Sequence, residues 1–208
     1  MNVLVLGARA PIAADLARAL ALGGHQVWAA DSFRAPVGAA SPYVRGCVRL
    51  PAPRADFAGF RARLAQVCRE IPIDAIVPVS EEVFWLAGAA ASLPQNVDVR
   101  ASARDTLAQV HQKGAFARLA VRLGYGAPEN HEVCSAVDLA RLGDPRRFVI
   151  KPVYSRFASR VLIRPSAREV SRVRPTPQQP WLAQTFVAGR ELCSYNVADS
   201  AVLSLCAL

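Results

Sequence analysis

The front half of the chain alternates between short apolar runs and amphipathic segments, and this alternation limits its fold more than any other feature. Residues 3–6 are an apolar run ended by Gly7, as in a buried parallel strand. Pro11 then suits the first turn of a helix, and Gly23 ends it. The pattern continues with predicted strands at 26–30, 47–50 and 75–79 and a helix at 57–69. It predicts a Rossmann-like parallel α/β sheet that ends near Arg100.

The second half has a different pattern. Residues 103–123 predict one long amphipathic helix, and Phe148–Pro152 with 161–164 predict two hairpin-like strands. Three prolines predict a loop at 174–180, and further strands are predicted at 181–187, 192–198 and 202–208. We therefore expect two domains, 1–102 and 103–208, of which the second is α+β.

Charge and apolar content exclude some classes of function. The net charge is +9, but the arginines are dispersed and the densest cluster spans only 164–174, which disfavours a nucleic-acid-binding face. The longest apolar stretch, 83–91, is too short to span a membrane, and the first residues lack the features of a signal peptide. We expect a cytoplasmic protein with no membrane partner.

The five cysteines form neither a close pair nor a metal-ligand spacing. An odd number of scattered thiols with apolar neighbours predicts reduced core residues. They lie at positions 47, 68, 134, 193 and 206.

Lysine is rare in this chain, which has 23 arginines and only two lysines, Lys113 and Lys151. A bias that replaces surface lysine by arginine explains the ratio. A lysine that survives such a bias indicates a role that the planar guanidinium fills poorly, such as a compact charge on a phosphate.

Lys151 follows an apolar strand and precedes Pro152. A buried ammonium without a partner is costly, so this side chain must find an anion or reach solvent. The polar connection at 153–161 carries Ser155 and Ser159, whose hydroxyls suit phosphate oxygens. An edge-strand lysine that reaches solvent, followed by an ordinary hairpin loop, is the alternative interpretation.

Residues 181–191 have the pattern of a nucleobase-binding strand edge. A strand ends in Gln184, Thr185, Phe186 and Val187, and Glu191 follows seven residues after Gln184. An adenine needs an acceptor for its amino group and a backbone N–H for a ring nitrogen, and a carboxylate can hold two ribose hydroxyls.

A dinucleotide fingerprint is absent. The loop after the first strand reads Gly-Ala-Arg-Ala-Pro from Gly7, without the spaced glycines that let a backbone approach a pyrophosphate. Asp31 still lies where a ribose-binding carboxylate sits in such folds, so an NAD(P)-linked protein remains an alternative. Glu81 and Glu82 follow a strand end and are interpreted either as contacts to an acceptor substrate or as first-turn acids behind a Ser80 cap.

Four motifs in order resemble the ATP-grasp superfamily, especially the carbamoyl-phosphate synthase large chain. They are the front α/β domain ending in residues 76–82, the segment 112–120, the strand Phe148–Pro152, and residues 184–191. The resemblance covers essentially the whole chain. It implies a Rossmann-like pre-ATP-grasp domain followed by the small α+β lid subdomain and the first strands of the large subdomain.

The resemblance also implies roles for single residues in ATP binding. Lys113 and Lys151 would contact phosphates, and Ser155 and Ser159 would lie in the loop over the triphosphate. The residues that would hold the nucleoside are Gln184, Thr185, Phe186 and Val187 for adenine and Glu191 for ribose. Two features depart from the family: Gln replaces the acid often found at position 184, and the loop lacks glycine.

No catalytic residue is assigned, because the family binds Mg²⁺ through acids and an Asn downstream of the ribose-binding Glu. After Glu191, Asp199 is the only carboxylate and Asn196 the only Asn, so Mg²⁺ is expected only in a longer protein. We interpret the chain as the N-terminal portion of a ligase that joins a carboxylate substrate to an amine or similar nucleophile. The alternative is a non-catalytic nucleotide-binding or dimerisation module, in which the apolar end strand pairs with a second copy.

Overall fold

The computed structural model describes residues 1–155, 158 and 160–192, and the backbone of strands Ser194–Asp199 and Val202–Ala207. The chain forms two compact units, Met1–Ala108 and Gln109–Leu208. No helix among the described residues has the length and apolar character needed to cross a membrane.

The first unit is built on a parallel sheet, as the sequence predicts, and this sheet has five strands where the sequence indicated four. Its strands lie in the order β3-β2-β1-β4-β5. The chain leaves β1 for β2 and β3 on one side and later returns to β4 on the other side, so the sheet has a switch point between β1 and β4. The strands are β1 (Asn2–Leu6), β2 (Gln26–Asp31), β3 (Val44–Arg49), β4 (Ala75–Pro78) and β5 (Asp98–Val99), and the helices are α1 (Ile12–Leu22), α2 (Phe57–Glu70) and α3 (Glu82–Ala89).

The apolar side chains of β1 fill both faces of this sheet. Leu4 and Leu6 are fully buried and pack with α2 and α3, while Val5 packs on the other face against α1. A strand buried on both faces reads as a continuous apolar run, which explains why the sequence signal for β1 is clear.

The second unit contains a four-stranded sheet, β6-β9-β7-β8, in which all described pairings are antiparallel. A separate hairpin pairs β10 with β11. Its elements are α4 (Arg104–His111), which begins in the first unit, α5 (Lys113–Arg122), β6 (Asn130–Val133), α6 (Ala136–Arg141), β7 (Phe148–Pro152), β8 (Leu162–Ile163), α7 (Ala167–Val170), β9 (Trp181–Thr185), β10 (Ser194–Asp199) and β11 (Val202–Ala207).

The two faces of the four-stranded sheet differ in character. Phe148 and Ile150 of β7 and Trp181 and Ala183 of β9 form the core with Val133. The opposite face carries Val149 and Lys151 of β7 and Leu182 and Gln184 of β9, because neighbouring residues of a strand point to opposite faces. Lys151 and Gln184 therefore lie on the same face of the sheet, the one opposite the core.

The predicted helix at 103–123 is wrong as a single element. It is broken at Gln112, whose ψ of 111° is extended and whose side chain accepts a hydrogen bond from the N–H of Ala115 as a helix N-cap. Gly114, a poor helix former, follows the break. The break makes Lys113 the first residue of α5 instead of a residue in the middle of a helix.

Three other expectations need correction. Ser80 is not a helix cap: its φ is 61°, and α3 begins at Glu82 without a side-chain cap. The strand predicted at 181–187 ends at Thr185, where the backbone leaves the sheet. Cys47 is exposed and Cys134 half-buried, so of the described thiols only Cys68 is a core residue.

Candidate functional site

Lys113 lies at the start of α5 and reaches the connection that follows β7. Its Nζ donates to the carbonyl of Val153 at 3.0 Å, to the carbonyl of Ser155 at 3.1 Å and to the Ser155 hydroxyl at 3.2 Å. A lysine in the first turn places a positive charge at the positive end of the helix dipole, which is unfavourable for the helix itself. This position is better explained by an anion than by helix stability.

Lys151 extends from β7 along the non-core face of the sheet. Its Nζ donates to Oε1 of Gln184 at 2.8 Å. Gln184 directly faces Val149 across the β7–β9 pair, so the lysine reaches diagonally to the neighbouring strand. The carbonyl assigned by resemblance to an adenine amino group is therefore occupied by the lysine in this structure.

The pKa of both lysines is lowered in the folded chain. Burial lowers the pKa of Lys113, and the charge of Lys151 lowers it further. Burial likewise lowers the pKa of Lys151. Among the residues that the structure describes, no carboxylate forms an ion pair with either lysine. Two half-buried cations with only neutral oxygen partners form a site that an anion would stabilise.

An aromatic contact borders this pair of lysines. The ring of His111, the last residue of α4, lies 5.7 Å from the ring of Tyr154 between centroids. Burial and the charge of Lys113 lower the pKa of His111, so the imidazole does not add a third positive charge at neutral pH. Tyr154 lies 43 residues from His111 in the chain, so this contact has no local signal in the sequence.

The predicted nucleoside-binding residues are only partly available. The N–H of Thr185 donates to the carbonyl of Glu129 at 2.9 Å, and that of Phe186 to the carbonyl of Arg147 at 2.8 Å. The guanidinium of Arg164 lies over the Phe186 ring, 5.2 Å from its centroid. Val187 is 65 % exposed.

Two further predicted positions lie at the margin of what the structure describes. Glu191 is exposed and outside any strand or helix. Ser159 lies outside the described residues. Ser155, by contrast, is placed by Lys113 at the start of its loop.

A second cluster of charges lies in the first unit, where the strands β1, β2 and β4 end. Arg9 Nη1 pairs with Asp31 Oδ1 at 3.0 Å, and Arg9 Nη2 pairs with Glu82. The backbone N–H groups of Arg9 and Phe33 also donate to the Asp31 carboxylate, at 2.8 and 3.0 Å. The Asp31 side chain is 0 % exposed, so it is not available to a ribose.

This three-residue cluster was missed by sequence reasoning, although each member lies at a strand end. Gly7 has a φ of 86°, and a Cβ there would lie 2.8 Å from both Glu82 Oε2 and the Val79 carbonyl. The glycine therefore permits the close approach of α3 to the β1 loop. Its signal in the sequence is the position of Gly7 and Arg9 directly after a buried strand.

The donors needed for a structural or catalytic metal do not converge in the part of the chain described. No group of three or more His, Cys, Asp or Glu side chains is arranged to hold a metal ion there. The described residues therefore do not fit a Mg²⁺ site, and no step is assigned to one.

Comparison with known structures identifies the fold. The L-amino acid ligase from Bacillus licheniformis matches with a TM-score of 0.75 and 20% identity, over 98% of this chain and 48% of that protein. The N5-carboxyaminoimidazole synthetase from Staphylococcus aureus, solved with ADP, matches with a TM-score of 0.68 and 10% identity, over 94% of this chain and 50% of that protein. The glycinamide-RNase-transformylase T from Mycobacterium tuberculosis matches with a TM-score of 0.65 and 21% identity, over 99% of this chain and 55% of that protein.

The chain has an ATP-grasp fold. It spans about half the length of the structures it matches. No protein-family model matches the sequence, and no curated protein does either. The fold class predicted from the sequence is thus confirmed, whereas the more specific resemblance to the carbamoyl-phosphate synthase large chain stays a prediction.

Proposed function

We propose that this chain provides the phosphate-binding part of an ATP site in an ATP-dependent ligase. The ligase would activate a carboxylate as an acyl-phosphate, which an amine or similar nucleophile then attacks. The observation that carries the proposal is the convergence of Lys113 and Lys151 on one sheet face and its following loop, without a described carboxylate partner.

The arrangement favours a polyphosphate over a small anion. Lys113 is anchored on the carbonyls of the loop after β7, while Lys151 is anchored one strand away on Gln184. Two separately held ammonium groups can contact successive phosphates of one ligand, and each contact would replace a neutral acceptor by a charged one. The lowered pKa of both lysines supports this, because a phosphate restores the stability of their charged forms.

The nucleoside would lie beyond the end of β9. The backbone N–H of Val187 would donate to a ring nitrogen of adenine, and Glu191 would accept from the ribose hydroxyls. Support comes from the motif order that resembles the carbamoyl-phosphate synthase large chain and from the fold shared with ligases solved with ADP and with ATP.

The chain's own residues would bind and orient the triphosphate. Lys113 and Lys151 would offset charge on the phosphates, and the Ser155 hydroxyl would donate to a phosphate oxygen once Lys113 turns from the loop to the ligand. Mg²⁺ would supply charge neutralisation for phosphoryl transfer. The described residues do not form its site, so this chain is assigned binding and orientation only.

Calorimetric titration of a non-hydrolysable ATP analogue into the longest natural form of the protein tests the proposal. Lys151→Ala and Lys113→Ala should each weaken binding by about 100-fold, since each removes a charge-assisted contact of about 2–3 kcal/mol. Arg172→Ala is the matched control, because it removes an exposed positive charge of the same unit. Unchanged affinity in Lys151→Ala, or no binding by the unaltered protein, would refute the proposal.

A second measurement separates a ligase from a non-catalytic binding module. Hydroxylamine converts an acyl-phosphate to a stable hydroxamate, so incubation with ATP, Mg²⁺ and a panel of carboxylates should give a carboxylate-dependent hydroxamate. Nucleotide binding without any hydroxamate, across the panel, would favour the module.

A further inference from the structure

One polar atom of the second unit is buried without a hydrogen-bond partner. In the described part of the chain three side-chain atoms share this property, and Asn130 Oδ1 is the member in the second unit. Its amide orientation is fixed, because Nδ2 donates to the Pro128 carbonyl at 2.6 Å. A buried acceptor without a donor costs about 1–3 kcal/mol, so native proteins rarely retain one without a role for it.

Asn130 lies directly opposite Gln184 in the β6–β9 pair. The adjacent pair carries the ladder hydrogen bond, from the N–H of Thr185 to the carbonyl of Glu129. Asn130 and Gln184 therefore form a non-hydrogen-bonded pair, in which the Cα atoms are only about 4.5 Å apart and side chains of the same face meet. Two amide side chains thus face each other next to the lysine.

The amide of Gln184 is engaged at one end. Its Oε1 accepts from Lys151 Nζ at 2.8 Å, and no described residue accepts from its Nε2. The Nε2 donor, which has no acceptor among the described residues, thus belongs to the residue that faces Asn130, whose Oδ1 has no donor. A change in the terminal torsions of Gln184 joins the two, and such torsions are soft.

We propose that Asn130 is a positioning residue for Lys151 and acts through Gln184. In the arrangement proposed, the terminal torsions of Gln184 turn so that Asn130 Oδ1, unpartnered in this structure, accepts from Gln184 Nε2 while Gln184 Oε1 stays directed at the Lys151 ammonium. The resulting chain of hydrogen bonds crosses β6, β9 and β7 and starts at the Pro128 carbonyl. Its consequence for phosphate binding rests on the function proposed above.

The physical effect of Asn130 is to select one orientation of an amide. A glutamine with no partner at Nε2 can rotate by half a turn and present its NH₂ group to the lysine, which repels the ammonium. With Nε2 held, only the carbonyl faces Lys151. A carbonyl that accepts from the ammonium favours the charged lysine, whereas burial lowers the pKa of Lys151.

The scarcity of lysine makes a direct test feasible. Protein labelled with ¹³C at lysine Cε gives two side-chain signals, since the chain has only two lysines, and Lys113→Arg assigns them. In a pH titration of the 208-residue chain without nucleotide, Asn130→Leu should lower the pKa of Lys151 by about half a unit and leave that of Lys113 unchanged. Asn130→Asp should raise the pKa of Lys151, because it keeps an acceptor and adds a negative charge.

A double-mutant cycle shows whether the effect passes through Gln184. In a Gln184→Leu background, Asn130→Leu should shift the Lys151 titration no further. The matched control is Asn96→Leu, the same substitution at an exposed position of the first unit. A Lys151 titration that Asn130→Leu leaves unmoved would overturn the proposal, as would a shift that persists in the Gln184→Leu background.

The test does not depend on nucleotide binding. A Lys151 signal that responds to Asn130 through Gln184 in a protein that binds no ATP analogue supports the positioning role and refutes the proposed function. Conversely, analogue binding with an unresponsive Lys151 signal refutes the positioning role alone. If Asn130→Leu does not fold, Asn130→Asp carries the test, and an unmoved or lowered pKa of Lys151 in that variant overturns the proposal.

Discussion

The charged centres of the two units are opposites in how their charge is balanced. In the first unit, one guanidinium, Arg9, lies between the carboxylates of Asp31 and Glu82 at the ends of the parallel strands. In the second unit, two ammonium groups, Lys113 and Lys151, contact only carbonyl and hydroxyl oxygens among the described residues. The first centre is satisfied by the fold, and the second is not.

This difference indicates where a ligand contributes most. The crevice at the carboxyl ends of parallel strands is the usual ligand site of an open α/β sheet, and here it is filled by the protein's own side chains. The four-stranded sheet of the second unit carries the unbalanced charge instead. We therefore expect mutations of the first centre to change stability and mutations of the second to change nucleotide affinity.

The largest expected effect is a loss of stability when a carboxylate of the first centre is removed. Asp31→Ala should lower the free energy of unfolding by about 3 kcal/mol, because it removes one of the two carboxylate partners of Arg9 and the acceptor of two backbone N–H groups. Arg9 is 38% exposed, which keeps the loss below that of a fully buried pair. Urea denaturation followed by circular dichroism measures it. Asp98→Ala, which breaks an exposed pair with Arg100, should change stability by less than about 1 kcal/mol.

Nucleotide affinity should not respond to Asp31→Ala. A large loss of ATP-analogue binding in a variant that remains folded would show that the first centre also serves the ligand, and the contrast between the units would not hold.

The next effect tests how closely the first centre is packed. Gly7→Ala should destabilise the protein by about 2 kcal/mol, because the new Cβ meets Glu82 and the Val79 carbonyl at 2.8 Å in a backbone with φ of 86°. Gly24→Ala is the control, since Gly24 has φ of 83° and no atom within 4 Å of its Cβ position. It isolates the backbone strain of about 1 kcal/mol. Equal melting temperatures of the two variants would show that the loop after β1 accommodates a Cβ at position 7 without a steric clash.

The third effect is the pH dependence of the second centre. The pKa of each lysine is lowered in the free protein, and a bound phosphate raises it again, so binding takes up protons. Affinity for an ATP analogue should be greatest below the lowered pKa values and fall as pH rises through them towards 10.5, the ordinary value of a lysine. Calorimetry in buffers of different ionisation enthalpy detects the proton uptake. Lys151→Arg, which stays charged at these pH values, should show a weaker decline.

The smallest effect is on the free energy of unfolding, which is expected to change in the direction opposite to that of Asp31→Ala. Lys151→Met should leave the free energy of unfolding unchanged or raise it by up to about 1 kcal/mol at neutral pH, because burial opposes the charged lysine in the folded state. At pH below the lowered pKa this penalty is fully present. The penalty disappears as pH approaches 10.5, where the unfolded lysine also loses its proton. Thermal melts of Lys151→Met and of the unaltered protein at pH 7 and pH 10 measure the difference. A clear loss of stability in Lys151→Met at pH 7 would contradict the prediction.

Much of the fold could be predicted from local pattern. Strand β1 is buried on both faces and gives an unbroken apolar run, and β7 keeps its predicted bounds, Phe148–Pro152. The break at Gln112 could not be predicted in the same way, because the apolar period of the helix continues on both sides of it. An extended ψ at one residue leaves that period almost unchanged but moves Lys113 to a helix start.

For the candidate site, the sequence indicates residues and does not indicate their contacts. Composition singled out the two lysines, since 23 arginines make a retained lysine informative. The sequence indicated Gln184 as a partner for adenine, whereas the fold places its carbonyl on Lys151. That contact depends on the register between β7 and β9, which joins residues 33 positions apart.

The sequence by itself thus determined the α/β order of elements, the ATP-grasp resemblance and the rarity of lysine. Only the tertiary structure decided how the charges pair. Strand order brings Arg9 to Asp31 and to Glu82, which are 22 and 73 residues away in the chain. Strand register places Asn130 opposite Gln184, 54 residues away. The physical reason is that local patterns fix which side chains are buried, whereas the partner of a buried charge depends on which strands become neighbours.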